Sequence, residues 1–212
     1  MTMNEHWHRA RWRPQLDWST PGAELLRQAA AVLSAGLGSR SLQLVVFGSS
    51  PLQMGVSEAI MSGDLDIATD EEIEGILAAA GLTKGLSSPY VEVCPLGTFR
   101  TALDWRTRAH SEQLGNLEIL FPHPIDILVS KISRGEEKDF EAFEEVIAKS
   151  GHPTEEELVD ALIRSVHLYR PGYDETATGD PVTNTRLLWK RLFGRDINVR
   201  KEIIAAATRS NI

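Results

Sequence analysis

The stretch Leu42-Gln43-Leu44-Val45-Val46-Phe47-Gly48-Ser49 and, after residues 50–63, Asp64-Leu65-Asp66-Ile67-Ala68-Thr69 decide the fold. The first is a short apolar, valine-containing run stopped by glycine, the pattern of a buried strand. The second alternates polar and apolar, as a half-buried strand does. Side chains two apart on a strand point to one face, so Asp64 and Asp66 project together. Two carboxylates that close do not both ionise cheaply unless a cation lies between them. Mg²⁺ suits them, because it takes one or two carboxylates together with substrate phosphates. Gly48 allows close approach of the backbone to a ligand, and the amides and hydroxyls of Ser49 and Ser50, at a strand-to-helix turn, suit a terminal phosphate.

Working outward, Thr20 as cap and Pro21 at the first helical position open a helix that includes Ala23 to Leu37. Downstream, the pattern predicts a helix from Glu71 to Ala80, capped by Thr69 or Asp70. A hairpin follows, with strands from Tyr90 to Cys94 and from Phe99 to Trp105 joined by Pro95-Leu96-Gly97, then one more strand from Leu117 to Phe121. From Pro124 the period is helical: one helix ending near Gly135, a second from about Glu136 to Ser150, and a third opened by the capping box Thr154…Glu157. Residues 171–185 read as a loop before one or two C-terminal helices. The expected class is α+β, with a small mixed sheet flanked by helices in residues 1–121 and a helical region, 122–212, packed on it.

Composition narrows the function. The chain has 212 residues, a net charge of -8, 42% hydrophobic and 25% charged residues, which is ordinary for a globular protein. The single Cys94 excludes an internal disulfide framework and a cysteine zinc site. No run approaches the ~20 apolar residues of a membrane span. The region of Trp7, Arg9, Arg11, Trp12 and Arg13 lacks the apolar core of a signal peptide, so a cytoplasmic location is expected. Residues 134–160 carry 3 basic and 10 acidic side chains, whereas 161–212 carry 9 and 5. Such acidity argues against tight nonspecific nucleic-acid binding; the basic block is a solvated helical face or a contact for an RNA or acidic partner. There is no GxxxxGK[ST], and the GxG of Gly36 and Gly38 ends a helix, which removes the P-loop and dinucleotide readings.

Val46-Phe47-Gly48-Ser49 followed by Asp64-Leu65-Asp66-Ile67 resembles the signature of the DNA polymerase β-like nucleotidyltransferase superfamily. The resemblance implies that Gly48, Ser49 and Ser50 meet the triphosphate and that Asp64 and Asp66 hold Mg²⁺ or Mn²⁺ with a third carboxylate from a later strand. Asp104, among apolar neighbours where a carboxylate is expensive without a partner, is the first choice for the third; Glu92 and Asp126 compete. Pro124 to Lys131, then Arg134 and Lys138-Asp139, is similar to helices of small bacterial members, abortive-infection toxin-like proteins among them. That similarity implies Lys131 and Lys138 near the nucleotide, and an antitoxin as partner.

The implied activity is Mg²⁺-dependent transfer of a nucleoside monophosphate from an NTP to an acceptor hydroxyl on RNA, protein or a small molecule. Asp64, Asp66 and Asp104 would be the catalytic acids. Two other classes compete: a non-catalytic nucleotide- or partner-binding module on the same fold, and an interaction protein assembled through its charged helices.

Overall fold

The computed structural model describes residues 7–85, 89–170 and 179–210. It is α+β, and the chain divides into two compact units. One comprises Arg11–Phe99 and Thr107–His123; the other comprises the described parts of Met1–Ala10, Arg100–Arg106 and Pro124–Ile212.

Among the described residues the first unit is a five-stranded mixed sheet with three α-helices. Its strands are β1 (Leu42–Phe47), β2 (Asp64–Ala68), β3 (Tyr90–Cys94), β4 (His110–Leu114) and β5 (Leu117–Phe121), in the order β3-β2-β1-β5-β4. β1 runs antiparallel to β2 and parallel to β5; β2 runs parallel to β3, and β4 antiparallel to β5. α1 (Pro21–Leu37) begins as its sequence dictates: the Thr20 hydroxyl accepts from the Ala23 amide and Pro21 needs no partner for a missing N–H. Leu26, Ala29 and Leu33 of α1 join Leu44 and Val46 of β1, Leu65 and Ile67 of β2, Val91 of β3, and Ile119 and Phe121 of β5 in one hydrophobic core. Because side chains alternate along a strand, Asp64, Asp66, Tyr90, Glu92 and Cys94 lie on the sheet face opposite that core.

α2 (Ser50–Gly55) connects β1 to β2, and α3 (Glu74–Ala79) follows β2. The expected start of α3 at Glu71 moves to Glu74, because the Thr69 hydroxyl takes the Glu71 amide in a turn and the buried Ile73 becomes the flanking residue.

The expected hairpin is corrected. β3 is an edge strand paired with β2, and Phe99 to Trp105 forms no strand. Pro95 has no amide to give a ladder, and Leu96–Thr98 coils into a 3₁₀ turn. The buried apolar residues Phe99, Ala102 and Trp105 recur three apart, the spacing of turns and not of a strand. The partner of β5 is instead the polar β4, joined to it through Gly115-Asn116, with Gly115 at a φ of 62°.

The second unit is helical: α4 (Pro124–Lys131), α5 (Glu137–Ser150), α6 (Glu155–Arg164), α7 (Pro181–Phe193) and α8 (Ala205–Ser210). α5 and α6 both start with reciprocal capping boxes, Glu136 with Asp139 and Thr154 with Glu157. α7 starts four residues before the expected end of the loop at 185, because the Asp180 carboxylate accepts from the Val182 and Thr183 amides; residues 171–178 of that loop lie outside the described residues. The basic C-terminal segment is tied to acids of its own unit. Arg191 meets Glu144 and Glu137 at 2.6 Å each, and Arg195 meets Glu155 and Glu202. Among the described residues no helix is long and apolar enough to cross a membrane.

Candidate active site

β2 presents its acids by simple alternation. Leu65 and Ile67 are fully buried in the core, which turns Asp64 and Asp66 to the other face. The parallel register sets Tyr90 beside Asp64 and Glu92 beside Asp66. One ligand oxygen from each of Asp64, Asp66 and Glu92 lies within 4.8 Å of the others, and among the described residues this is the one group of three or more metal-capable side chains. All three donors are carboxylates, hard oxygen ligands that suit Mg²⁺ or Mn²⁺ and not the nitrogen and sulfur sets of structural zinc.

The field of the cluster registers on its neighbour. Cys94, two residues beyond Glu92 on the same face of β3, has its thiol pushed up to about 12, first by burial and then by the charges of Asp66, Glu92 and Asp64. On the other side, the Tyr90 hydroxyl donates to Asp64 Oδ2 at 3.4 Å, and Lys84 Nζ stands 5.6 Å from the centre of the Tyr90 ring.

Gly48 ends β1 next to this cluster, since Phe47 pairs with Asp66. Its φ is 69°, and a Cβ there would overlap Asp66 Oδ2, so any other residue is strained and must displace that carboxylate. Ser49 then leads into α2. The Ser50 side chain turns inward: it is fully buried, its hydroxyl lies 2.9 Å from that of Ser62, and it donates to the Asp64 carbonyl at 3.1 Å. Ser62 also donates to that carbonyl, at 2.7 Å. The buried Gln53 accepts from the Gly22 amide and donates to the Ile60 carbonyl. Ser50 and Gln53 thus brace the α2–β2 connection that delivers Asp64.

The other expected site residues belong to the helical unit. Asp104 lies just before the 3₁₀ turn Trp105–Thr107 and is an exposed partner of Arg164, at 3.3 Å. Lys131 is buried against Asp139 at 3.3 Å, and Asp139 also binds Arg134. Lys138 is exposed, 3.3 Å from Glu136. Asp126, the remaining competitor, is buried at the first turn of α4 and accepts from the Thr101 hydroxyl at 3.1 Å. The carboxylate gathered with Asp64 and Asp66 is therefore Glu92. On its own strand Glu92 reads as an exposed polar position, and only the β2–β3 register puts it beside Asp66.

A family model described as a nucleotidyltransferase of unknown function (DUF6036) matches residues 24–162, which run from the first turn of α1 to the last turn of α6. Neither curated proteins nor solved structures yield a match.

Proposed function

We propose, for a chain that belongs to the DUF6036 nucleotidyltransferases, that the Asp64–Asp66–Glu92 face of β2 and β3 is the catalytic centre of a divalent-metal-dependent nucleotidyl transfer. The observation that carries this reading is the convergence of three carboxylates beside a glycine that cannot be replaced without striking one of them. Glu92 takes the third place in which Asp104 was expected.

Asp64, Asp66 and Glu92 would hold Mg²⁺ or Mn²⁺, which would supply positive charge against the triphosphate and a lower pKa for the acceptor hydroxyl. Gly48 keeps the β1–α2 turn close to Asp66, and Gly48 and Ser49 present backbone amides and a hydroxyl to the outgoing phosphates. Ser50, turned inward, fixes the backbone of Asp64 and does not touch the nucleotide. The family supports an NTP as substrate. The acceptor is a hydroxyl of RNA, protein or a small molecule, and a toxin role with an antitoxin partner belongs to the same reading.

The test is transfer of label from α-phosphate-labelled NTPs, with Mg²⁺ or Mn²⁺, to RNA, protein and small-alcohol acceptors. The wild type should label one acceptor class. Asp66→Asn and Glu92→Gln should each lose about 10²-fold or more of that rate, the scale of removing one transition-state charge partner. Asp104→Asn should lose far less. Equal turnover in wild type and Asp66→Asn would sink the proposal, and a greater loss in Asp104→Asn than in Glu92→Gln would return the third place to Asp104.

A further inference from the structure

Asp64 has a hydroxyl directed at it from the neighbouring strand. In the parallel β2–β3 register Tyr90 stands beside Asp64, and its hydroxyl donates to Asp64 Oδ2 at 3.4 Å. The ring is held in turn. Val91 donates its amide to the Leu82 carbonyl at 2.7 Å and Thr83 bridges to Val91, so the segment before β3 runs alongside it and brings Lys84 Nζ to 5.6 Å from the ring centre. A cation at that distance from a tyrosine face is attracted to it. Tyr90 is thus fixed by backbone pairing below and by an ammonium group beside it.

A carboxylate has two oxygens and a freely turning Cβ–Cγ bond, so a lone aspartate must be ordered before it can grip an ion. A donor to one oxygen does that ordering in advance and leaves the second oxygen for the metal. Groups that hydrogen-bond to a metal ligand commonly change metal affinity by about 10- to 100-fold when removed.

We infer that Tyr90 is a positioning residue for the divalent ion, its hydroxyl orienting Asp64, with Lys84 steadying the ring. This rests on the reading of Asp64, Asp66 and Glu92 as the metal site. Cross-strand tyrosines also serve plain packing, and the two roles part company in Tyr90→Phe, which keeps the ring and its contact with Lys84 and removes only the hydroxyl.

The experiment titrates Mn²⁺ into the chelator-stripped full chain and follows free Mn²⁺ by electron paramagnetic resonance, with melting temperatures recorded in chelator. Given the length of the hydrogen bond, Tyr90→Phe is expected to raise the Mn²⁺ Kd by about 3- to 10-fold, near and below the lower end of that range, with an unchanged melting temperature. An unchanged Kd in Tyr90→Phe, where Asp66→Asn still abolishes binding, overturns the role of Tyr90 and spares the metal site. A weaker Kd accompanied by a lower melting temperature also overturns it, because the hydroxyl then serves packing. Absence of Mn²⁺ binding in the wild type, or binding indifferent to Asp66→Asn, overturns both readings.

Discussion

In the helical unit, Asp139 lies between Arg134 and Lys131, Asp160 is gripped by His8, Arg9 and Arg164, and Glu144 and Glu155 are held by Arg191 and Arg195. In the sheet unit, Asp64, Asp66 and Glu92 are set against one another. The electrostatic outcomes run in opposite directions. Burial alone would raise the Asp139 carboxyl, but its bond to Arg134 and the charges of Lys131 and Arg134 outweigh burial and lower it. Burial likewise opposes His8, Arg9 and Arg164 at Asp160 and loses, so that carboxyl sits well below its ordinary range. Beside the sheet cluster, burial and three negative charges act together on Cys94 and raise its thiol. Acids paired with bases stabilise a fold; acids gathered together are, under the proposed function, the ones that take a cation.

The largest effect that would break this contrast is Asp139→Asn. The change leaves the buried Lys131 without this carboxylate and puts one neutral acceptor oxygen where Asp139 uses two charged ones for Lys131, Arg134 and the Glu136 amide, so a loss of about 3–5 kcal/mol is expected in urea unfolding at neutral pH. The folded carboxyl is depressed, so its contribution is present above the unfolded value, about 3.9, and is lost as pH falls through the folded value. The gap between wild type and Asp139→Asn should therefore shrink on acidification below about pH 4. A gap that stays constant with pH would mean that the ion pairs do not hold this unit.

How much of this contrast is legible in the sequence depends on distance along the chain. Thr20-Pro21, the Thr154 capping box and the i, i+2 pair Asp64 and Asp66 are local, and each takes its expected place in the structure. Glu92 is not local: on its own strand it reads as an exposed polar position, and its meeting with Asp66 depends on two strands choosing a parallel register across more than twenty residues. β4 was hidden because an edge strand need not be apolar, although Gly115-Asn116 between Leu114 and Leu117 is a hairpin signal. Asp104 misled for the opposite reason. Its apolar neighbours Ala102 and Trp105 are buried by a turn, while Leu103 and Asp104 themselves face solvent. The C-terminal basic block is local in sequence, but its partners Glu144 and Glu155 come from helices well upstream.

Two glycines sharpen the comparison at intermediate size. Gly151 caps α5 with φ at 73° and nothing near its missing side chain, so Gly151→Ala should lose only the conformational cost of a left-handed residue, about 1 kcal/mol. Gly48 has nearly the same φ, but an added methyl also meets the Asp66 carboxylate. Gly48→Ala should lose about 1–3 kcal/mol in denaturant unfolding and abolish the upward shift in melting temperature produced by Mn²⁺. Gly151→Ala should keep that shift. Equal behaviour of the two variants would show that Gly48 serves the turn and not the acids.

The smallest expected effect is the most diagnostic, because its sign differs between the units. Removing a charge from a set of like charges relieves repulsion, so in chelator Glu92→Gln should melt higher than wild type, by a stability gain of about 0.5–1 kcal/mol. Removing an acid from the paired set, as in Asp139→Asn, can only destabilise. With Mn²⁺ added the order at Glu92 should reverse, since an ion bound as proposed stabilises the fold by RT ln(1 + c/Kd), with c the free Mn²⁺ concentration, a term that shrinks as the weakened trio raises Kd. Melting curves of wild type and Glu92→Gln, with chelator and then with Mn²⁺, read both signs from one pair of proteins. A lower melting temperature for Glu92→Gln in chelator would place Glu92 with the structural acids, for then its charge is already balanced within the fold and has nothing left to offer a metal ion.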